Sequence, residues 1–116
     1  MARPVRSAAM TDHPAIELLY FDGCPGHEQL LPAIERLAAE SGATLRLRRV
    51  ETPEAAERER FLGSPTVRVN GVDVDPSASE RTDFGLTCRI YRSDAGESPL
   101  PPEQWIRAAL KRGVER

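Results

Sequence analysis

The stretch AIELLYFDGCPGH, residues 15–27, decides how this chain begins to fold. Its first seven residues are mostly apolar and stand between Pro14 and the turn residues Asp22-Gly23, a pattern typical of a buried strand. Cys24 then falls where the strand has ended and a helix begins, with Pro25 at a favoured first helical position.

The remaining chain alternates between helical and extended patterns. Apolar residues recur at helical spacing over 30–38, and alternation over 44–50 predicts a second strand at a sheet edge. A short helix over 54–61, a strand over 66–69 and the turn Asn70-Gly71 follow. Residues 72–85 are predicted as a long loop and 86–91 as a fourth strand, before a last helix that carries Trp105. The predicted α/β fold is a central four-stranded mixed sheet flanked by three helices, in the order β-α-β-α-β-β-α.

Length and composition limit the number of domains and the classes of partner that the chain is expected to have. A length of 116 residues, 40% of them hydrophobic, suits one compact domain. We predict a flexible leader over 1–14, a domain over 15–112 and a tail over 113–116, with the start at Met1 or Met10 left open. A net charge of −2 argues against a nucleic-acid binder, and no membrane segment or signal peptide is visible. With two cysteines only, the protein is predicted to be cytoplasmic; its oligomeric state is left open.

Cys24 and His27 are the first candidates for chemistry. Free N–H groups and the dipole at a helix start stabilise a thiolate, so Cys24 is expected to ionise more readily than a free cysteine and to be accessible. His27 follows three residues later on the same helix face and is expected to activate the thiolate. The alternative is that Cys24 is a small buried apolar residue and His27 a solvated one.

Ser64-Pro65 is the second candidate, because cis peptide bonds are nearly all X-Pro bonds held by the fold. A proline before the third strand can lie beside the end of the first strand, close to Cys24. We predict a cis bond there; the alternative is an ordinary trans proline that begins a strand.

Taken in order, these features resemble the thioredoxin-like superfamily over residues 16–110. An apolar strand runs into Cys-Pro-Gly-His at 24–27, in the place of the family's Cys-x-x-Cys, and Pro32 lies where thioredoxins carry a proline within the helix. The segment GSPTV at 63–67 is similar to the family's cis-proline segment, and an amphipathic helix closes the chain.

The resemblance implies that Cys24 is the attacking cysteine and that Ser64-Pro65 is the cis-proline bond. It implies a substrate groove bordered by Pro25, Gly26, Ser64 and Pro65. His27 stands where the second, resolving cysteine would be, so a dithiol cycle within that one loop is not available.

A shorter resemblance, to small proteins grouped near alkylmercury lyases, rests on Gly-Leu-x-Cys-Arg-x-Tyr at 85–91. It makes Cys88 the ambiguous residue. Cys88 either resolves an oxidised Cys24, or joins it in holding a soft cation, or is a buried strand cysteine. The predicted topology favours the last, because the fourth strand would begin at the far end of the sheet from Cys24.

These observations predict a thiol-dependent redox protein that uses Cys24, His27 and Cys88 and acts on a low-molecular-weight thiol or a protein thiol or disulfide. We predict no cofactor and no metal site. Two alternatives stay open: an adaptor module that keeps the fold without the chemistry, and a soft-metal or organomercurial handler that uses both cysteines. The aspartates at 73, 75 and 83 are expected to be solvated loop residues.

Overall fold

The structure is a computed structural model that describes residues 14–115. The predicted leader, apart from Pro14, lies outside the described residues. Within residues 14–115 there are three α-helices: α1 (Gly26–Ser41), α2 (Pro53–Glu59) and α3 (Glu103–Glu115). None of them combines the length and the apolar character that crossing a lipid bilayer requires.

The main sheet has four strands, and it confirms the predicted mixed α/β class. They are β1 (Ala15–Tyr20), β2 (Thr44–Arg49), β3 (Thr66–Val69) and β4 (Val72–Asp73), in the spatial order β2-β1-β3-β4. β1 and β2 are parallel, whereas β3 is antiparallel to both β1 and β4. The arginine-rich strand β2 lies at one edge of the sheet, as predicted.

The predicted fourth strand over 86–91 is wrong. The fourth strand of the sheet is β4, which follows β3 directly because Asn70 and Gly71 both adopt the left-handed conformation that a two-residue hairpin turn requires. Residues 86–90 hold only an isolated bridge between Ser64 and Cys88. A separate hairpin of β5 (Tyr91–Ser93) and β6 (Gly96–Ser98) then precedes α3.

The exposure of residues 89–91 also differs from that of a strand that buries Cys88. Ile90 is exposed, whereas Arg89 and Tyr91 are buried. An arginine side chain enters the interior here because carboxylates from β4 and the residues after it accompany it, as described below.

The two faces of the sheet carry two apolar clusters. Ile16 and Leu18 of β1 pack with α1 and α3 on one face, together with the half-buried Trp105. Leu19 points to the other face and packs against Ala56 of α2 and against Phe61. Strand β1 therefore has apolar contacts on both sides, and Cys24 follows shortly after its carboxyl end.

Candidate functional site

Cys24 lies between β1 and α1 and is buried, with 5% of its surface exposed. Pro25 is the cap residue before α1, one position earlier than predicted, and its carbonyl oxygen accepts the first helical hydrogen bonds. Cys24 Sγ lies 3.5 Å from the carbonyl oxygen of Ser64. The prediction of an accessible thiol at Cys24 is therefore wrong, because the Ser64 segment covers it.

The Ser64-Pro65 bond is cis and lies beside Cys24, as the sequence predicted. Both residues are buried. A Cβ atom added to Gly26 would stand 3.0 Å from Cδ of Pro65. The glycine at the start of α1 thus permits the close approach of helix and proline, so Gly26, Ser64 and Pro65 of the expected groove do come together beside Cys24, whereas Pro25 is exposed.

Cys88 is brought to the same place by main-chain hydrogen bonds. The N–H of Ser64 donates to the carbonyl oxygen of Thr87 at 2.8 Å, and the N–H of Arg89 donates to that of Ser64 at 2.9 Å. This parallel bridge sets Cys88 directly opposite Ser64. The Cα atoms of Cys24 and Cys88 are 5.9 Å apart, and the two residues form a disulfide. The expectation that Cys88 lies at the far end of the sheet is therefore wrong.

The two cysteines differ in their exposure. Cys24 is buried, whereas Cys88 is exposed, as are Thr87 and Ile90 on either side of it. The sequence predicted a helix-start cysteine open to solvent and, among the alternatives left open for Cys88, favoured a buried strand cysteine. The physical reason is that residues 86–90 run along the surface and not within a sheet.

Arg89 anchors the segment that carries Cys88. Its side chain is completely buried and donates to both carboxylate oxygens of Asp73, at 2.9 and 3.1 Å, and to Asp75 at 3.3 Å. The same guanidinium donates to the hydroxyl of Thr66 at 2.9 Å. Asp73 and Asp75 are thus not the solvated loop residues that the sequence predicted, whereas Asp83 is exposed and pairs with Arg81.

The electrostatics of this cluster favour a charged arginine beside a neutral tyrosine. Burial opposes the charge on Arg89, but the negative charge that Tyr91 carries when ionised, the hydrogen bond to Asp73 and the charges of Asp73 and Asp75 outweigh burial, so the pKa of Arg89 is raised. Burial also raises the pKa of Tyr91, so its hydroxyl stays protonated. This hydroxyl donates a hydrogen bond to the carbonyl oxygen of Pro65. The guanidinium carbon of Arg89 lies 4.5 Å from the centre of the Tyr91 ring.

His27 contacts the main chain of Cys24. Its Nδ1 lies 2.9 Å from the carbonyl oxygen of Cys24. Since a carbonyl oxygen can only accept, Nδ1 is protonated and donates a hydrogen bond to it. The ring stacks on Tyr20, with the ring centres 4.1 Å apart. Within residues 14–115 the His27 ring makes this one hydrogen bond, and through it the histidine holds the main chain of Cys24 in place. Its expected role as activator of the thiolate stays a prediction.

Sequence reasoning missed Arg89 and the groups around it. One signal was present: a charged residue inside the largely apolar run 86–91, preceded by two aspartates two residues apart. A buried arginine needs carboxylate partners, and Asp73 and Asp75 are two candidates, although Asp83 and Asp94 lie nearer to Arg89 along the chain. The pairing itself depends on strand β4, whose residues the sequence assigned to a loop.

Comparison with known proteins does not assign this chain to a family. No protein-family model matches the chain, and no curated protein matches it either. Within residues 14–115, no group of three or more potential metal-ligating side chains converges on one point. The site is thus defined by its own residues: a buried and an exposed cysteine, side by side, against a cis-proline bond.

Proposed function

We propose that this protein is a thioredoxin-like thiol–disulfide exchange protein whose redox pair is Cys24 and Cys88. The observation that carries the proposal is the 5.9 Å separation of the two Cα atoms, within the range in which a disulfide forms without moving the backbone. Cys88 takes the part of the second cysteine, because His27 occupies the place where a thioredoxin has it.

The arrangement of elements supports the thioredoxin-like part of the proposal. A parallel β1-α1-β2 unit is followed by α2, the antiparallel strands β3 and β4, and a final helix α3. Cys24 lies at the β1–α1 junction and faces a cis-proline bond before β3. These are the positions that the resemblance implies for the attacking cysteine and for the bond that borders its substrate.

The pair is also expected to stay together when it is reduced. Cys88 is held opposite Ser64 by two main-chain hydrogen bonds, and its neighbour Arg89 is fixed by Asp73, Asp75 and Thr66. None of these contacts involves a sulfur atom. Two thiols held in place react with a much higher effective concentration than free ones, so the disulfide re-forms readily.

The reaction is a two-electron exchange. The oxidised protein and two thiol molecules yield the reduced protein, with both cysteines as thiols, and one disulfide of the partner. The partner is a low-molecular-weight thiol or a protein thiol. In the cytoplasm, the location expected from the sequence, disulfides are usually transient and belong to catalytic or sensing sites.

The test is a redox titration of the folded protein in buffers of reduced and oxidised glutathione. Free thiols are trapped by alkylation and counted by mass spectrometry. We expect one reversible two-electron transition in the wild type and none in the double variant Cys24→Ser, Cys88→Ser. A protein that stays fully reduced in oxidising buffer, or whose disulfide opens only on unfolding, would favour the adaptor module instead.

A second candidate function is the handling of a soft metal or an organomercurial. It is favoured by the same juxtaposition, because two neighbouring thiolates are ligands that suit soft cations. Reduced protein titrated with Cd²⁺ would then develop a thiolate-to-metal absorption band at one equivalent. We expect no such band, and saturable binding lost in both single serine variants would make metal handling the better proposal.

A further inference from the structure

We infer that incoming thiols exchange with Cys88, and that Cys24 is the buried sulfur that leaves. The inference rests on the proposed function and deepens it by assigning a role to each sulfur. It reverses the roles that the resemblance implies, in which the cysteine at the helix start is attacked first.

Access to the sulfur decides where a thiolate attacks a disulfide. Cys24 has 5% of its surface exposed and lies beneath Ser64, which is itself completely buried, with buried Gly26 and Pro65 beside it. Cys88 is exposed on an irregular segment between the exposed Thr87 and Ile90. A thiolate from solvent can therefore reach the Cys88 side of the bond, whereas the Cys24 side is covered by the fold.

The surroundings of Cys24 suit a leaving sulfur. It precedes the 16-residue helix α1, whose first N–H groups have no partner within the helix and whose dipole favours negative charge. Once the departing sulfur has taken up a proton, its thiol can donate to the carbonyl oxygen of Ser64, 3.5 Å away. Residues 86–90, around Cys88, form no helix that would offer the same help.

The steps balance as follows. The thiolate of a low-molecular-weight or protein thiol attacks Cys88 Sγ; a bond forms between these two sulfurs, the Cys88–Cys24 bond breaks, and its electron pair leaves on Cys24 Sγ. Cys24 then takes a proton from water. A second thiolate attacks the partner's sulfur in the mixed disulfide, releases the oxidised partner and leaves Cys88 as a thiolate.

The experiment compares two single variants, Cys24→Ser and Cys88→Ser, each of which keeps one cysteine. Both are reduced and mixed with the aryl disulfide DTNB under native conditions, and the release of its coloured thiolate gives the rate. We expect Cys88, the thiol left in Cys24→Ser, to react faster by on the order of tenfold or more. In urea the two rates should become similar, which shows that the fold causes the difference.

A second measurement uses the wild type and does not depend on the folding of either variant. Reduced protein is treated with less than one equivalent of iodoacetamide, and the label is located by peptide mapping. We expect most of the label on Cys88. Equal labelling, or a preference for Cys24 in both assays, would overturn the inference while leaving a reversible redox titration intact. A wild type that does not titrate would overturn the proposed function instead, whatever the labelling ratio.

Discussion

The two cysteine-bearing regions reach one site by different means. Cys24 lies between β1 and α1, two regular elements with apolar faces that pack into the core. Cys88 lies on a segment without regular structure, held by a two-bond bridge to Ser64 and by the buried ion pairs of Arg89. The first region is thus held in place by apolar packing, and the second by a few polar contacts between distant parts of the chain.

The difference matters for function. Apolar packing is spread over many contacts, so single substitutions weaken it gradually, whereas a buried polar cluster depends on every member. The position of Cys88, and with it the Cys24–Cys88 disulfide, should therefore be far more sensitive to substitution than the position of Cys24. The predictions below test that contrast, beginning with the largest effect.

The substitution Arg89→Met should have the largest effect. It removes the only cationic partner shown for Asp73 and Asp75 within residues 14–115, side chains that are 12% and 8% exposed. Breaking a buried ion pair from one side costs about 3–5 kcal/mol, because the remaining charge is left without compensation. Urea unfolding under reducing conditions should show a loss of this size in the free energy of unfolding.

The matched control is Arg92→Met, three residues along the same segment. Arg92 pairs with Glu97, but their side chains are 74% and 62% exposed. Exposed pairs contribute about 0–1 kcal/mol, so the control should unfold nearly like the wild type. Similar losses in both variants would mean that the buried cluster does not anchor this region.

The substitution Gly63→Ala should have the next largest effect. Gly63 has a φ of +124°, and an added Cβ would stand 2.8 Å from the carbonyl oxygen of Thr87, the acceptor in the bridge that places Cys88. Strain of this kind costs about 1–3 kcal/mol. We also expect slower re-formation of the disulfide after reduction, followed by alkylation of samples taken at intervals.

The variant Gly71→Ala separates the effect of backbone strain from that of the close contact with Thr87. Gly71 also has a positive φ, +84°, but nothing lies within 4 Å of its added Cβ. This variant should lose stability and yet re-form the disulfide at the rate of the wild type. If it slows re-formation as much as Gly63→Ala does, the contact with Thr87 is not what positions Cys88.

The contrast between the two regions also explains what the sequence could predict. The elements from β1 to β3 were predicted because apolar spacing, Pro, Gly and capping residues are local signals; Thr52, for example, caps α2 by accepting from the N–H of Ala55. Strand β4 was missed although its turn, Asn70-Gly71, was recognised. Two residues are too short for a periodic signal, and the loop prediction followed from the aspartates nearby.

The site could be predicted only in its Cys24 half. Cys24, Gly26 and the cis Ser64-Pro65 bond were identified from their order along the chain, and they do lie together. The neighbourhood of Cys88 depends on pairing Arg89 with residues 14 and 16 positions earlier. No periodicity reports such a pairing, and residues 86–91 were therefore assigned to a strand that would bury Cys88.

The smallest effect is expected for His27→Ala, and it concerns the Cys24 region. The sequence predicted that His27 stabilises the Cys24 thiolate, which would make alkylation of Cys24 slower in the variant. In the structure the ring instead donates from Nδ1 to the carbonyl oxygen of Cys24 and stacks on Tyr20. Losing one such hydrogen bond should lower the free energy of unfolding by about 0.5–1.5 kcal/mol.

The reactivity of Cys24 should then be unchanged. In a Cys88→Ser background, the rate of alkylation against pH should superimpose for proteins with His27 and with His27→Ala. His27→Phe is the matched control, since it keeps a ring to stack on Tyr20 and removes both ring nitrogens, including the Nδ1 donor. A curve displaced to higher pH in both variants would restore the activating role of the histidine. A shared loss of stability with superimposed curves would instead mean that the imidazole positions the Cys24 backbone, and that α1 alone acts on its charge.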